Sequence, residues 1–304
     1  MKKISLEEYK NLIKSERMNV FKQPYDLVYD NFVELEYDKK SKEFFLKNAS
    51  EIVTELRNKC WEEFKPLEKS FTSKMLKELI DSDYISKLDP ITAITCFIEQ
   101  YPEHIYALTL SNTQSRRSRA GKEFESIIEL IFIGAGIFID SQGNIGKQEF
   151  IEKGLGKLVD LVSPGVLEYI INKRNTVLIS AKTTLRERWQ EVPEEMGRTG
   201  AREMFLATLD KQISADVLDA LYEANIQITT TSEIKEAYYA DNDRVLTFEK
   251  LLEICSFNNS HWEKFSYTVD QKKKIIELID KQIIKHRNHK FVEDYYLKRK
   301  NKIK

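Results

Sequence analysis

The stretch Thr176-Val-Leu-Ile-Ser-Ala-Lys-Thr-Thr-Leu-Arg-Glu-Arg-Trp-Gln-Glu-Val-Pro-Glu-Glu195 changes character part-way along. Its first part, Val177-Leu178-Ile179, is a short apolar run with β-branched residues, preceded by Lys173-Arg174-Asn175, and reads as a buried strand. Lys182 stands at the end of that strand. Thr183 or Thr184 can then cap a helix whose first turns carry Arg186, Glu187, Arg188 and Trp189. The stretch therefore predicts a strand that delivers a lysine to the place where a helix presents two arginines flanking a glutamate.

Upstream, Leu158-Val159-Asp160-Leu161-Val162 is apolar apart from one carboxylate, and Ser163-Pro164-Gly165 makes a turn after it. Two strands connected in this way can pair, which brings Asp160 close to Lys182. Burying an unpaired carboxylate is expensive, so Asp160 either meets a cation, Lys157 or Lys182, or ligates a metal. An acid on one strand and a lysine on the next, with a further acid nearby, is the constellation of the Mg²⁺-dependent nucleases written PD-(D/E)xK. Val159-Asp160 and Ser180-Ala181-Lys182 fit it, except that Ser180 stands where the second acid is usual. The helix after Lys182 offers Glu191, Glu194 and Glu195 as replacements.

Asp160, Ser180-Ala181-Lys182, the run from Thr183 to Trp189, and Glu195 closely resemble type II restriction endonucleases of the SsoII kind, which cut around CCNGG. More distantly they resemble EcoRII and the NgoMIV group, in which the second acid has moved onto the following helix. The resemblance implies that Asp160, Lys182 and Glu195 are catalytic and that Arg186, Glu187 and Arg188 read bases. It also implies a glutamate on the helix before the first catalytic strand. Glu125 fits that place, with a salt bridge to Lys122 or Arg119 as the other reading. Asp160, Glu195 and the backbone carbonyl of Ala181 would hold Mg²⁺, an ion that prefers octahedral oxygen ligation. Double-stranded DNA is the implied substrate, cut before the first C, with a cognate DNA methyltransferase expected in the same system. Cutting both strands of a palindrome calls for two sites about a twofold axis, hence a homodimer.

Arg-Glu-Arg has its own chemical logic. An arginine fork matches guanine O6 and N7, and a carboxylate accepts from cytosine N4, so the triplet suits adjacent G·C pairs. A surface helix can also carry such a triplet as solvated charge, and only its position after Lys182 favours readout. Arg57 and Trp61 are four apart on a predicted helix, and such a tryptophan is ordinarily core. Enzymes of the resembling class tend to extrude the central base pair, and Arg57 with Trp61 could sandwich a flipped base.

With 304 residues, 41% hydrophobic and 32% charged, the chain can bury a sizeable core as one large domain or two small ones. No segment is long enough to span a bilayer, and Met1-Lys2-Lys3-Ile4-Ser5 lacks a signal-peptide core, which together predict a cytoplasmic protein with no membrane partner. A net charge of −1 neither announces nor excludes a DNA binder, because the placement of the basic residues decides that. Cys60, Cys96 and Cys255 suggest neither a disulfide framework nor a zinc site. His286 and His289, among Lys285, Arg287 and Lys290, read as surface charge.

Residues 1–104 form a mostly helical pattern expected to contribute to DNA binding. Residues 105–245 hold the nuclease core and residues 246–304 a helical, basic C-terminal region packed on it. Ser111 to Arg119 reads as an exposed loop in which Arg116, Arg117 and Arg119 meet phosphates and Gln114 contacts a groove. Gly121 to Ile133 is an amphipathic helix, Ile137 to Ile139 a strand, and residues 298–304 a solvated basic tail. Glu203 to Thr208 and Ile226 to Thr230 are further strands around a helix from Ala215 to Ala224. The expected class is α/β (α+β), a restriction-endonuclease-like mixed sheet flanked by helices with helical additions at both termini. A repair or recombination nuclease of the same fold would share the catalytic set without the Arg-Glu-Arg triplet; a non-catalytic DNA-binding protein would need none of the acids in strands.

Overall fold

The computed structural model describes residues 2–155 and 159–303, with the side chains of residues 144, 187, 188 and 195 outside the description. Six strands, β1 (Asp140–Ser141), β2 (Leu161–Ser163), β3 (Val177–Lys182), β4 (Met204–Thr208), β5 (Ile226–Thr230) and β6 (Val245–Thr247), form one sheet in sequence order. The first three pair antiparallel and the last four parallel, giving a mixed sheet with flanking helices. The switch follows from the connections. β2 returns to β3 through the short helix Val166–Ile171 and a 3₁₀ turn at Lys173–Asn175, whereas the parallel strands are linked through the helices Glu191–Thr199, Ala215–Glu223 and Ser232–Tyr238. β3 is buried from Val177 to Ala181, which explains its unbroken apolar character, because both faces of a covered sheet need apolar residues.

The chain divides into two compact units, residues 1–27 with 58–120 and residues 28–57 with 121–304. The first is helical. Ser5 and Glu8 close a capping box on the helix Leu6–Val20, and Tyr9, Ile13, Phe21, Phe64, Phe71 and Met75 pack its core. The second holds the sheet, with Val162, Leu178, Leu206, Ile228 and Val245 in one cluster. On the helix Pro102–Gly134 the predicted stripe Phe124, Ile127, Ile128 and Ile131 is fully buried.

Several local expectations are corrected. Residues 111–119 are not a loop but the interior of the helix Pro102–Gly134, whose first residue is far upstream. No proline or glycine interrupts residues 103–120, and two of the arginines are fixed inside their own unit. Arg116 Nε donates to the Glu68 carboxylate at 2.6 and 2.9 Å, and Arg119 donates to the Lys22 carbonyl at 2.7 Å. Ile137 to Ile139 lies outside the ladder, which begins only at Asp140. His286 is buried, not surface charge, with its Nδ1 3.1 Å from that of His289, and burial pushes its pKa down to about 3.

The basic tail is also not simply solvated. It is the helix Lys290–Ile303, and Arg299 within it is 2% exposed. Arg299 Nη1 pairs with Asp140 at 2.8 Å and Nη2 donates to the Pro164 carbonyl at 3.1 Å, with Glu168 at 3.9 Å. Asp140 also accepts from the Val166 N–H, so one cation ties the sheet edge to the segment after β2. Removing that cation leaves buried carboxylates uncompensated. Arg299→Ala is expected to lower unfolding free energy by about 3–5 kcal/mol in urea titrations; a loss under about 1 kcal/mol would mean the pair carries no such load.

Candidate active site

Antiparallel pairing aligns Leu161 with Ile179, so the next pair outward is Asp160 opposite Ser180. The Asp160 N–H donates to the Ile179 carbonyl at 2.9 Å, extending the ladder beyond β2. Gln142 holds the same corner from the other side, its N–H bonding the Asp160 carbonyl at 2.8 Å and its side chain the Val159 carbonyl at 3.0 Å. The backbone around the acid is thus fixed by hydrogen bonds on both sides. Nothing in the sequence pattern singled out Gln142, because the pairing of β1 with β2 brings it there.

Asp160 is 7% exposed. One carboxylate oxygen accepts from the Ala181 N–H at 2.6 Å and from Lys182 Nζ at 2.8 Å. Lys182 Nζ also donates to the Ala181 carbonyl at 3.2 Å. The Lys182 partner foreseen for Asp160 is therefore present, whereas the alternative, Lys157, lies outside the described residues. Two oxygen donors, a carboxylate and a carbonyl, converge on one cationic group. That set also suits a hard divalent ion, which takes carboxylate and backbone oxygens.

Glu125, on the helix Pro102–Gly134, lies near enough to Asp160 and Lys182 to feel both charges. Burial pushes its carboxyl up to about 8, the charge of Asp160 adds to the rise, and Lys182 and Lys122 oppose it. Burial raises Asp160 as well, against the pull of Lys182 and the Ala181 N–H. Burial and mutual repulsion thus act on two acids in one corner, with the ammonium groups of Lys182 and Lys122 opposing them at Glu125. Among the described residues no three His, Cys, Asp or Glu side chains form a metal set. The Glu195 side chain, expected as the second acid, lies outside the described residues, and its backbone is in the helix Glu191–Thr199.

After Lys182 the residue at the N-cap position is Leu185, not Thr183 or Thr184, and it has no capping side chain. Arg186–Gln190 is a 3₁₀ helix with no side-chain cap, and Arg186 has φ of 44°, a left-handed conformation. The segment leaves β3 by a tight turn and becomes α-helical only at Glu191. Arg186 is exposed, and the side chains of Glu187 and Arg188 lie outside the described residues.

The model of the EcoRII C-terminal family matches residues 91–252. The type II restriction enzyme SsoII of Shigella sonnei is 53% identical over 299 residues, covering 98% of both chains. The chain belongs to the type II restriction endonucleases. Solved structures agree with this. Metal-depleted Ecl18kI in complex with uncleaved DNA has a TM-score of 0.92 at 52% identity, covering 98% of this chain and all of that one. Its complex with uncleaved, modified DNA has a TM-score of 0.93. A complex of restriction endonuclease PspGI with substrate DNA, 17% identical with a TM-score of 0.59, shares the fold. This restriction endonuclease is accordingly a DNA-binding, site-specific nuclease, and enzymes of its kind generally use divalent metal ions. No helix among its described residues is long and apolar enough to cross a membrane.

The remaining predicted residues of the endonuclease are placed as follows. Arg57 pairs with the buried Glu123 at 3.0 Å. Trp61 is not core: it is 43% exposed and stacks against Phe64, ring centroids 6.0 Å apart. Gln114 is exposed on its helix. What the structure brings together is Asp160, the Ala181 carbonyl, Lys182 and Glu125.

This corner makes stability depend on pH. Glu125, ordinarily 4.5, titrates near 8 in the folded chain, so the folded form holds that proton more tightly than the unfolded form does. Without metal, stability is expected to fall as pH rises from about 4.5 through about 8, by at most about 1.4 kcal/mol per pH unit for this group. Urea midpoints measured in chelator check this, with Glu125→Gln flattening the profile; a wild-type profile equally flat across that window would contradict it.

Proposed function

We propose that this endonuclease makes Mg²⁺-dependent double-strand cuts at the palindrome CCNGG, before the first C, leaving 5′ overhangs that span the site. The carrying observation is the cluster of Asp160, Lys182 and the Ala181 carbonyl at the end of β3, separated from Arg186 by only three residues. The SsoII likeness supports the choice of site, and the metal-depleted, uncleaved state of the Ecl18kI complexes supports a metal requirement.

In this reading Asp160, the Ala181 carbonyl and Glu195 hold Mg²⁺. When bound, the ion supplies Lewis-acid chemistry at the scissile phosphate and offsets charge in the transition state. Lys182, freed from Asp160, orients the attacking water or stabilises the developing negative charge through its ammonium. Glu125 adds a second carboxyl whose raised pKa lets it hold a proton near neutral pH. Arg186 and Arg188 donate to guanine and Glu187 accepts from cytosine, with Gln114 adding a groove contact. A homodimer places two such sites on the two strands, and a cognate methyltransferase protects host DNA. Trp61 offers an exposed ring for stacking on an extruded central base, and Arg57 is the planar partner assigned to it.

Digesting plasmid DNA and sequencing the fragment ends tests the assignment. The expected result is discrete fragments that need Mg²⁺ and end before the first C of CCNGG; random ends, or ends at another sequence, would overturn it. Asp160→Ala and Lys182→Ala should each reduce cleavage at least about 100-fold while circular dichroism reports a retained fold. Fluorescence of 2-aminopurine at the central position should rise or shift on binding if the base leaves the stack, and an unchanged signal would count against extrusion.

A further inference from the structure

The turn between Lys182 and Arg186 is held from outside. Lys182 pairs in register with Thr208 of β4, and just beyond that pair the Leu209 N–H donates to the Thr183 carbonyl at 3.3 Å. Two residues further on, the Leu185 N–H donates to Asp210 Oδ2 at 2.9 Å. Asp210 Oδ1 accepts from the Gln212 N–H at 3.1 Å, and the Asp210 N–H donates to Thr208 Oγ at 3.2 Å. Tyr239 closes the arrangement, its hydroxyl donating to the Asp210 carbonyl at 3.0 Å and accepting from the Ile213 N–H at 3.1 Å. The Asp210 carboxylate is thus locked in its own loop by one oxygen and reaches across to the turn with the other.

The turn needs that contact. Leu185, the N-cap residue of the 3₁₀ helix Arg186–Gln190, offers no capping side chain of its own and is 2% exposed in the core. A buried side chain fixes where Leu185 sits but not how its peptide plane is rotated. The hydrogen bond to Asp210 fixes the peptide plane between Thr184 and Leu185, one plane before Arg186, whose φ is 44°. Conformations of this kind persist in a non-glycine residue only where the surroundings over-determine them. The carboxylate thereby anchors the backbone at the point where it turns into Arg186–Gln190.

We propose that Asp210 is a specificity-positioning residue: by holding the Leu185 N–H it aims residues 186–188 at the base edges while Lys182 stays fixed on β3. The proposal rests on the reading that residues 186–188 contact bases. Base discrimination by hydrogen bonds depends on angle and distance at the donor fork, whereas phosphodiester hydrolysis at Asp160 and Lys182 depends on the ladder between β2 and β3, which Asp210 does not touch. Loss of the contact should therefore degrade discrimination more than chemistry.

The test is steady-state cleavage, with Mg²⁺, of one duplex carrying the site the wild-type enzyme cuts and a set in which each base pair is changed singly. In Asp210→Ala the ratio of kcat/KM between the true site and its single-change variants should fall about tenfold, with KM for the true site raised and the dependence on pH and Mg²⁺ concentration unchanged in shape. Asp210→Asn, whose amide oxygen can still accept from Leu185, should recover part of the ratio, and it serves as the working variant if Asp210→Ala fails to fold. A wild-type ratio in both variants, or an equal loss on every duplex, would overturn the proposal. Glu187→Gln is assayed alongside. If it lowers the ratio and the Asp210 variants do not, positioning by Asp210 is wrong and base reading stands. If none of the three changes the ratio, base reading itself fails, and the proposal with it.

Discussion

A carboxylate buried at the mouth of a sheet is unstable by itself, and the active corner of this endonuclease is arranged around that fact. Asp160 is held by a backbone N–H and an ammonium on the neighbouring strand, both reaching one oxygen. The Ala181 carbonyl lies within reach of the same ammonium. The Lys182 contact offsets the buried charge of Asp160, and under the proposed function it is the contact that a divalent ion would replace. Glu125 sharpens the point: its carboxyl is pushed up by burial and by Asp160, against the pull of Lys182 and Lys122.

Under the proposed function the same geometry would join chemistry to recognition. β3 ends at Lys182, and four residues later the chain presents Arg186 in an exposed position. Between them the chain is tied at two points to the segment after β4, at Thr183 by Leu209 and at Leu185 by Asp210. In that reading a short, tethered turn would leave little freedom for cutting and reading to move independently. That suits an enzyme whose phosphodiester chemistry must occur at one fixed place in a sequence.

Much of this was legible from residue order. A continuous apolar run ending in lysine marks β3, and a lone acid in a second such run marks the neighbouring strand, because a buried carboxylate has few explanations. Met204–Thr208 and Ile226–Thr230 were readable for the same reason. What was not legible depended on distant partners. The helicity of residues 111–119 looked doubtful from their polarity, yet Glu68 and the Lys22 carbonyl hold two of the arginines there. Arg299 looked like one more charge in a basic tail, and only Asp140 and Glu168, more than a hundred residues away, make it a buried tie. Asp210 and Gln142 carry no motif, because their importance lies in which backbone atoms the topology places beside them. The 3₁₀ turn with a left-handed Arg186 is likewise set by its tethers, not by local propensity.

The most direct test of the account is where a divalent ion binds. Crystals of the enzyme with duplex DNA and Mn²⁺, examined by anomalous diffraction, should show an ion about 2.1 Å from an Asp160 carboxylate oxygen and from the Ala181 carbonyl, with the Lys182 ammonium moved off Asp160. An ion bound elsewhere, with the Lys182–Asp160 pair intact in a complex that still cuts, would contradict it.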